Sequence, residues 1–137
     1  MLSDCIESIS PSNIVVDGDL NISLAPSEKK GGLRGKDHLQ DMVEEMIRAC
    51  DLIDIKPKSR CFTWSNNRAS LANVSARLYR FLIHNTLLDG KSIISSKNLP
   101  KLMYDHCPIS LLFEKMISVQ YRFISAHSGL RKMALWI

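Results

Sequence analysis

Apolar residues recur along one part of the chain with the period of a helix. Positions i, i+3, i+4, i+7, i+8 and i+11 form one continuous stripe, which predicts an amphipathic helix over residues 38–51. The stripe consists of Leu39, Met42, Val43, Met46, Ile47 and Cys50. Asp37 is expected to cap this helix, with Gln40 at the capping-box position.

Short apolar or alternating runs elsewhere predict strands. They lie at residues 13–16, 52–55, 60–64, 77–83, 92–96 and 108–113. The first run ends at Asp17-Gly18-Asp19, so we expect a buried strand that opens into a loop, followed by a long loop up to residue 36. Beyond residue 118 no firm pattern is found. Many strands and one clear helix predict an α+β protein.

Composition and charge narrow the class of protein. The chain has 137 residues, of which 45% are hydrophobic and 23% charged, which excludes a disordered tail, a collagen-like fibre and a coiled coil. The net charge of +4 mildly favours a polyanionic partner. Residues 1–28 carry only acidic charges and residues 55–88 only basic ones. This segregation indicates either a metal site beside a phosphate-binding surface or two solvated faces of opposite sign.

The cysteines and the N-terminus bear on the compartment. The four cysteines form no Cys-x-x-Cys pair, which predicts buried free thiols in a reducing, intracellular compartment. The N-terminus lacks the basic start and apolar run of a signal peptide, and no stretch approaches the length of a membrane span. We therefore expect no membrane contact.

Three polar clusters lie at the ends of predicted strands, where loops present side chains on a rigid frame. Gly18-Asp19-Leu20-Asn21 offers a carboxylate and an amide, and Asp105-His106 an acid beside an imidazole. Such groups suit metal-assisted hydrolysis, although each cluster alone is equally typical of an ordinary loop. In the third cluster Thr63, Asn66 and Arg68 offer donors between aromatic residues. That pattern fits a nucleic-acid backbone or simply an amphipathic strand.

Four motifs follow one another in a specific order. They are Gly-Asp-x-Asn at residues 18–21, Phe-Thr-Trp-Ser-Asn at 62–66, Arg-Leu-x-Arg-Phe-Leu-Ile at 77–83 and Asp-His-x-Pro-Ile at 105–109. In this order they resemble the endonuclease/exonuclease/phosphatase superfamily, and most of all the apurinic-type endonuclease domain of plant non-LTR (LINE-type) retrotransposons. The resemblance covers about residues 13–116.

The resemblance implies a magnesium- or manganese-dependent phosphodiesterase that nicks DNA. Asp19 would orient or deprotonate the attacking water, and Asn21 would hold the phosphate and the nucleophile. Asp105 and Asp19 would lie at the metal, and His106 would stabilise the phosphoryl transition state. Thr63 would contact the DNA backbone. An active protein of this kind would be nuclear.

The same resemblance exposes departures from the family pattern. The N-terminal half of the family domain, with its principal glutamate ligand, has no counterpart, so residues 1–117 would form half of a four-layer α/β-sandwich and residues 118–137 a tail leading to a linker. Tyr79 stands where the family has an aspartate that orients the histidine, and Tyr104 where it has a serine. A tyrosine cannot supply that charge at neutral pH.

These departures predict a truncated remnant of a retrotransposon endonuclease that is inactive alone and self-associates through exposed sheet faces. A nucleic-acid-binding module without chemistry is the main alternative. A phosphomonoesterase or lipid phosphodiesterase of the same superfamily is a third hypothesis. A structural protein is the fourth, and it predicts that the residues of the two catalytic clusters do not converge.

Overall fold

The structure, a computed structural model, describes residues 14–33, 35–59, 62–88, 93–101, 105–114 and 122–126. These ranges contain one α-helix, α1 (Gln40–Ala49), and nine strands. The strands are β1 (Ile14–Asp19), β2 (Lys29–Lys30), β3 (Leu52–Asp54), β4 (Trp64–Ser65), β5 (Ser75–Ala76), β6 (Tyr79–His84), β7 (Ile93–Asn98), β8 (Ile109–Glu114) and β9 (Arg122–Ala126). Short 3₁₀ turns lie at Pro26–Glu28, Ser70–Ala72 and Asn85–Leu88.

The strands form three sheets. The largest has the order β3-β6-β1-β9, in which β1 pairs antiparallel with β6 and parallel with β9. In the antiparallel pair Val15 lies opposite Ile83 and Asp19 opposite Tyr79. A second sheet has the order β2-β5-β4, and β7 and β8 form an antiparallel pair of their own. The mixture of strands with one helix confirms the α+β class.

Both faces of the largest sheet are covered, so the apolar run at the start of β1 is fully buried. On one face Ile14, Val16, Leu52 and Leu82 pack against Leu20 and, in or just after α1, Ile47 and Cys50. On the other face Val15, Phe81 and Ile83 pack against Ile94 of β7 and Ile109, Leu111 and Phe113 of β8, among others. Helix, four-stranded sheet and two-stranded sheet thus lie in successive layers.

The predicted helix is confirmed, but its N-terminal details differ. The capping-box prediction is wrong, because Leu39 occupies the N-cap and no side chain caps the helix. Asp37 instead accepts a hydrogen bond from the backbone N–H of Leu39, and the Gln40 amide donates to the carbonyl oxygen of Leu24. The first part of the apolar stripe is uncovered, since Met42 is 61% exposed.

Long-range pairing changed two expectations for strands. Asp17-Gly18-Asp19 belongs to β1 and not to a loop, because the ladder with β6 continues to Asp19. The segment 118–137, where we expected a tail, contains β9 in parallel register with β1. The predicted strands 52–55 and 60–64 end up in different sheets, as β3 and β4. Residues 60 and 61 lie outside the described residues.

Several surface features concern partners. Among the described cysteines, Cys50 and Cys107 are free thiols of intermediate burial, while Cys5 and Cys61 lie outside the described residues. No helix in the part of the chain that the structure describes is long and apolar enough to cross a membrane. Exposed apolar side chains include Leu33 at 90%, Leu71 at 100% and Leu112 at 49%. Self-association stays a prediction.

Candidate functional site around His106

The loop that carries His106 runs alongside β4. The backbone N–H of Cys107 donates to the carbonyl oxygen of Thr63 at 2.7 Å, and that of Ser65 donates to Asp105 at 3.0 Å. Trp64 and His106 therefore face each other across an isolated antiparallel bridge. Backbone hydrogen bonds on both sides of this bridge fix His106 relative to the small sheet.

Residues 19–21 and 105–106 come together although they are far apart in sequence. The Asp19 carboxylate ends β1 with Oδ2 3.9 Å from Nδ1 of His106, and Asp105 Oδ1 lies 4.0 Å from Nε2 of the same ring. The Asn21 N–H donates to Oδ1 of Asp19 at 2.8 Å. The convergence that a purely structural protein would lack is present. The chemical roles of these residues stay predictions.

One nitrogen of His106 lacks a partner. Nδ1 is buried and makes no hydrogen bond to any described residue, and the Asp19 carboxylate at 3.9 Å is too distant for one. The side chain is 26% exposed, so the ring is partly open to solvent. An imidazole in this setting can donate to or accept from a phosphate oxygen.

Trp64 contributes a contact that the sequence left open. Its indole Nε1 donates to Oδ2 of Asp105 at 3.0 Å. This hydrogen bond, with the charge of His106 as a smaller influence, lowers the pKa of the Asp105 carboxyl. Asp105 is therefore oriented by Trp64 and remains ionised at neutral pH.

Tyr79 lies against His106, as its place in the motif implies. The ring centroids are 5.2 Å apart with planes at 83°, an edge-to-face arrangement. Burial, followed by the negative charges of Asp19, Asp17 and Asp105, raises the pKa of the Tyr79 hydroxyl. The tyrosine is thus neutral at neutral pH and gives His106 an aromatic neighbour without a charge. Tyr104 lies outside the described residues.

The carboxylates do not assemble a metal site by themselves. No group of three or more His, Cys, Asp or Glu side chains suited to a metal occurs within the described ranges. One oxygen of Asp19 already accepts from Asn21, and one oxygen of Asp105 from Trp64. The residues present therefore do not fit magnesium without further ligands.

The three residues predicted to contact nucleic acid differ in placement. Thr63 is fully buried, and its hydroxyl accepts the N–H groups of Leu78 and Tyr79 at 2.8 and 2.9 Å. In this placement Thr63 cannot contact a DNA backbone, because it joins β4 to the start of β6. The Asn66 side chain bonds the backbone of its own loop. Arg68 is exposed.

A buried group of four charges was missed in the sequence. Arg77 and Arg80 are 2% and 1% exposed, and both donate to Glu28 and to Asp54. The bond from Arg80 Nη2 to Glu28 measures 2.6 Å. Neither expected interpretation of the basic segment holds for these arginines, since they are neither at a phosphate-binding surface nor solvated. Only the alternation of charge with apolar residues in Arg-Leu-Tyr-Arg-Phe hinted at inward-facing arginines.

The buried group governs the ionisation of Glu28. Burial of Glu28 favours the neutral acid, but the hydrogen bond and charge of Arg80 outweigh it. With the Leu24 N–H and Arg77 adding to this, the pKa of Glu28 falls to about 2. Arg77 also donates its backbone N–H to the carbonyl oxygen of Glu28 at 2.8 Å. Glu28 thereby ties the loop after β1 to the beginning of β6.

A groove of about 590 Å³ opens beside the ring of His106. Its floor is formed partly by Trp64, Val74 and Leu78, and its rim carries Lys29 and Lys36. We call this the His106 groove. It is large enough for part of a nucleotide and combines an apolar floor with positive charge.

The sequence was also compared with known proteins. No family model matches it, and no curated protein matches it. The resemblance to the endonuclease/exonuclease/phosphatase superfamily therefore rests on the four motifs and on how the fold arranges them.

Proposed function

We propose that the chain is a remnant of a retrotransposon-encoded, magnesium-dependent DNA endonuclease that hydrolyses phosphodiester bonds, and that these 137 residues are inactive by themselves. The observation that carries the proposal is the convergence of Asp19 and Asn21 with Asp105 and His106 at one groove. Four short motifs, each weak alone, meet at one place, and that is what a common catalytic origin requires.

The layering of the fold supports the same proposal. A helix, a four-stranded sheet and a two-stranded sheet lie in successive layers. This order corresponds to three layers of the four-layer α/β-sandwich of the superfamily. We propose that the chain forms half of such a sandwich.

Loss of activity follows from the neighbours of His106. Tyr79 supplies no negative charge to the ring, and Asp19 stops 3.9 Å short of Nδ1. Removing an orienting carboxylate from behind a histidine costs on the order of 10⁴ in rate in a hydrolase triad. Magnesium would in addition require a carboxylate that the described residues do not supply.

The first test is plasmid nicking by the 137-residue chain with magnesium, with EDTA, and by the His106→Ala variant. We expect no nicking above the variant's background. Magnesium-dependent nicking that both controls abolish would contradict the inactivity and show that the residues around His106 suffice.

A second test asks for activity to be restored, because absence of nicking alone has many causes. The chain carrying Tyr79→Asp is fused behind the N-terminal half of a family endonuclease, which brings the missing glutamate. We expect nicking that requires magnesium and is lost in the same fusion with His106→Ala. The matched fusion with Tyr79→Asn should stay inactive, since asparagine has the size of aspartate without its charge. A folded Tyr79→Asp fusion that never nicks DNA would overturn the proposed ancestry.

A nucleic-acid-binding module without chemistry is the second candidate. The lysines on the rim of the His106 groove favour it. It predicts salt-sensitive DNA binding that needs no magnesium. Magnesium-dependent nicking by the unfused chain would exclude it.

A further inference from the structure

A second groove lies on the other side of the loop that follows β2. It measures about 620 Å³. Its polar lining comes from Ser23, Ser27, Lys29, Lys30, Lys36 and Gln40. No aspartate or glutamate occurs among the described residues that line it. We call it the lysine groove.

The lysine groove continues into the His106 groove. Lys29, Leu33 and Lys36 line both, and so do Ser23 and Gly35. A ligand strand bound beside His106 therefore has an unbroken path past Lys29 into a groove of uniformly positive sign. This continuity separates the lysines from charges scattered over a solvated face.

The loop that carries these lysines is held in a defined conformation. Gly31 has φ +76° and lies so close to Asn73 that an added Cβ would stand 2.1 Å from its carbonyl oxygen. Gly32 follows with φ +67°. Lys29 and Lys30, just before this turn, pair with Ala76 and Ser75 of β5. The lysines thus project from a fixed edge of the small sheet.

The charges of the three lysines are only lightly engaged. Lys29 donates from Nζ to the carbonyl oxygen of Leu33 at 3.2 Å, and Lys36 contacts the exposed carboxylate of Asp41. Lys30 is exposed. Exposed ion pairs of this kind are weak and exchange readily for a phosphate.

We propose that the lysine groove binds the phosphodiester backbone of DNA, which runs from His106 across Lys29 to Lys30 and Lys36. The inference deepens the proposed function by naming the surface that holds the substrate. It also replaces Thr63 and Asn66 as the backbone contacts. The competing role for Lys29 and Lys30 is to keep the edge strand β2 from pairing with another chain, which needs no ligand.

The test is binding of a fluorescein-labelled 20-base-pair duplex by fluorescence anisotropy in EDTA over a series of salt concentrations. Lys29→Gln with Lys30→Gln is compared with the unaltered chain. The matched control is Lys58→Gln with Lys97→Gln, which removes the same charge from exposed lysines that line neither groove.

The groove variant is expected to bind on the order of tenfold more weakly at 0.1 M salt, and its slope of log K against log salt should fall by about 1.8, or 0.9 for each phosphate released. The control variant should keep the slope of the unaltered chain. Equal losses in both variants would overturn the proposal, because they would show a response to net charge alone.

A second measurement needs no substitution and decides the question if the groove variant fails to fold. Lysine side chains of the unaltered chain are acetylated with and without the duplex and quantified by mass spectrometry. Protection of Lys29 and Lys30 but not of Lys58 and Lys97 is expected. Equal modification of all four lysines with bound duplex would overturn the proposal.

The result is independent of catalysis. The His106→Ala variant should bind the duplex as the unaltered chain does, because EDTA removes any metal-dependent step. If the restored fusion fails to nick DNA but the lysines are protected, the endonuclease ancestry fails and the lysine groove stands. If nicking is restored but the lysines are unprotected, only the lysine groove fails.

Discussion

The ring of Tyr79 lies edge-on to the imidazole of His106, with centroids 5.2 Å apart and planes at 83°. Tyr79 begins β6 directly opposite Asp19, which ends β1. The ladder between two buried strands therefore places an aromatic ring and a carboxylate side by side, and the loop of His106 closes over both. The candidate site depends on this register.

The contact between Tyr79 and His106 predicts a signature in solution. Replacement of Tyr79 by leucine should change the NMR shifts of the His106 ring protons, because the ring current of the tyrosine is lost. Tyr79→Phe keeps the ring and should leave these shifts nearly unchanged. Equal shifts in the leucine variant and the unaltered chain would show that the rings are apart.

Thr63 predicts a structural cost instead of a binding defect. In Thr63→Val the N–H groups of Leu78 and Tyr79 lose their acceptor in a fully buried place, at a cost of about 2–4 kcal/mol in free energy of unfolding. Urea unfolding measures this difference. Thr63→Ser keeps the hydroxyl and should lose only about 1 kcal/mol. A valine variant as stable as the serine variant would show that the two hydrogen bonds contribute nothing.

Glu28 predicts a loss of stability in acid. Its pKa is about 2 in the folded chain and near 4.5 when unfolded, so the unfolded state binds the proton more tightly. The stabilisation is complete above pH 5 and is lost as the pH falls towards 2, by up to about 3 kcal/mol. Thermal unfolding followed by circular dichroism between pH 6 and about 2.5 measures it.

The matched variant for this pH dependence is Glu28→Gln. It leaves Arg77 and Arg80 with Asp54 as their remaining acidic partner in the buried group, and should cost about 3–5 kcal/mol at neutral pH. Its remaining stability should depend less on pH between 5 and 2. An identical acid profile in both chains would assign the acid sensitivity to other carboxylates.

Gly31 predicts a position that tolerates no side chain. Gly31→Ala requires a left-handed residue with a Cβ against the Asn73 carbonyl oxygen, so it should destabilise the chain by more than about 2 kcal/mol. Gly35→Ala is the matched control, because an added Cβ there has no neighbour within 4 Å. Its stability should stay within about 0.5 kcal/mol of the unaltered chain. Chemical denaturation of the two variants compares them directly.

Local patterns were sufficient for most elements. The apolar stripe of α1 and the apolar runs of β1 and β6 predict their type from spacing alone, since a helix buries one face and a central strand buries both. Their ends moved because hydrogen-bonded ladders extend beyond apolar runs, as at Asp19. Strand β9 was missed because its pairing with β1 joins residues far apart in the chain.

The candidate site divides in the same way. Asp19, Asn21, Asp105 and His106 were predicted from the order of short motifs, and the fold brings them together. The partner of Asp105 on Trp64 and the full burial of Thr63 were not predictable, because each depends on which side of a short strand faces the interior.

The sequence by itself determined which segments become helix or strand and which side chains carry chemistry, because both are local properties of residue type and spacing. Only the tertiary structure decided where charge lies. Arg77 and Arg80 belong to a basic segment, yet they are buried against Glu28 and Asp54, while Lys29 and Lys30 remain at the surface. A charge is placed by the partners that replace its water, and those partners come from distant parts of the chain.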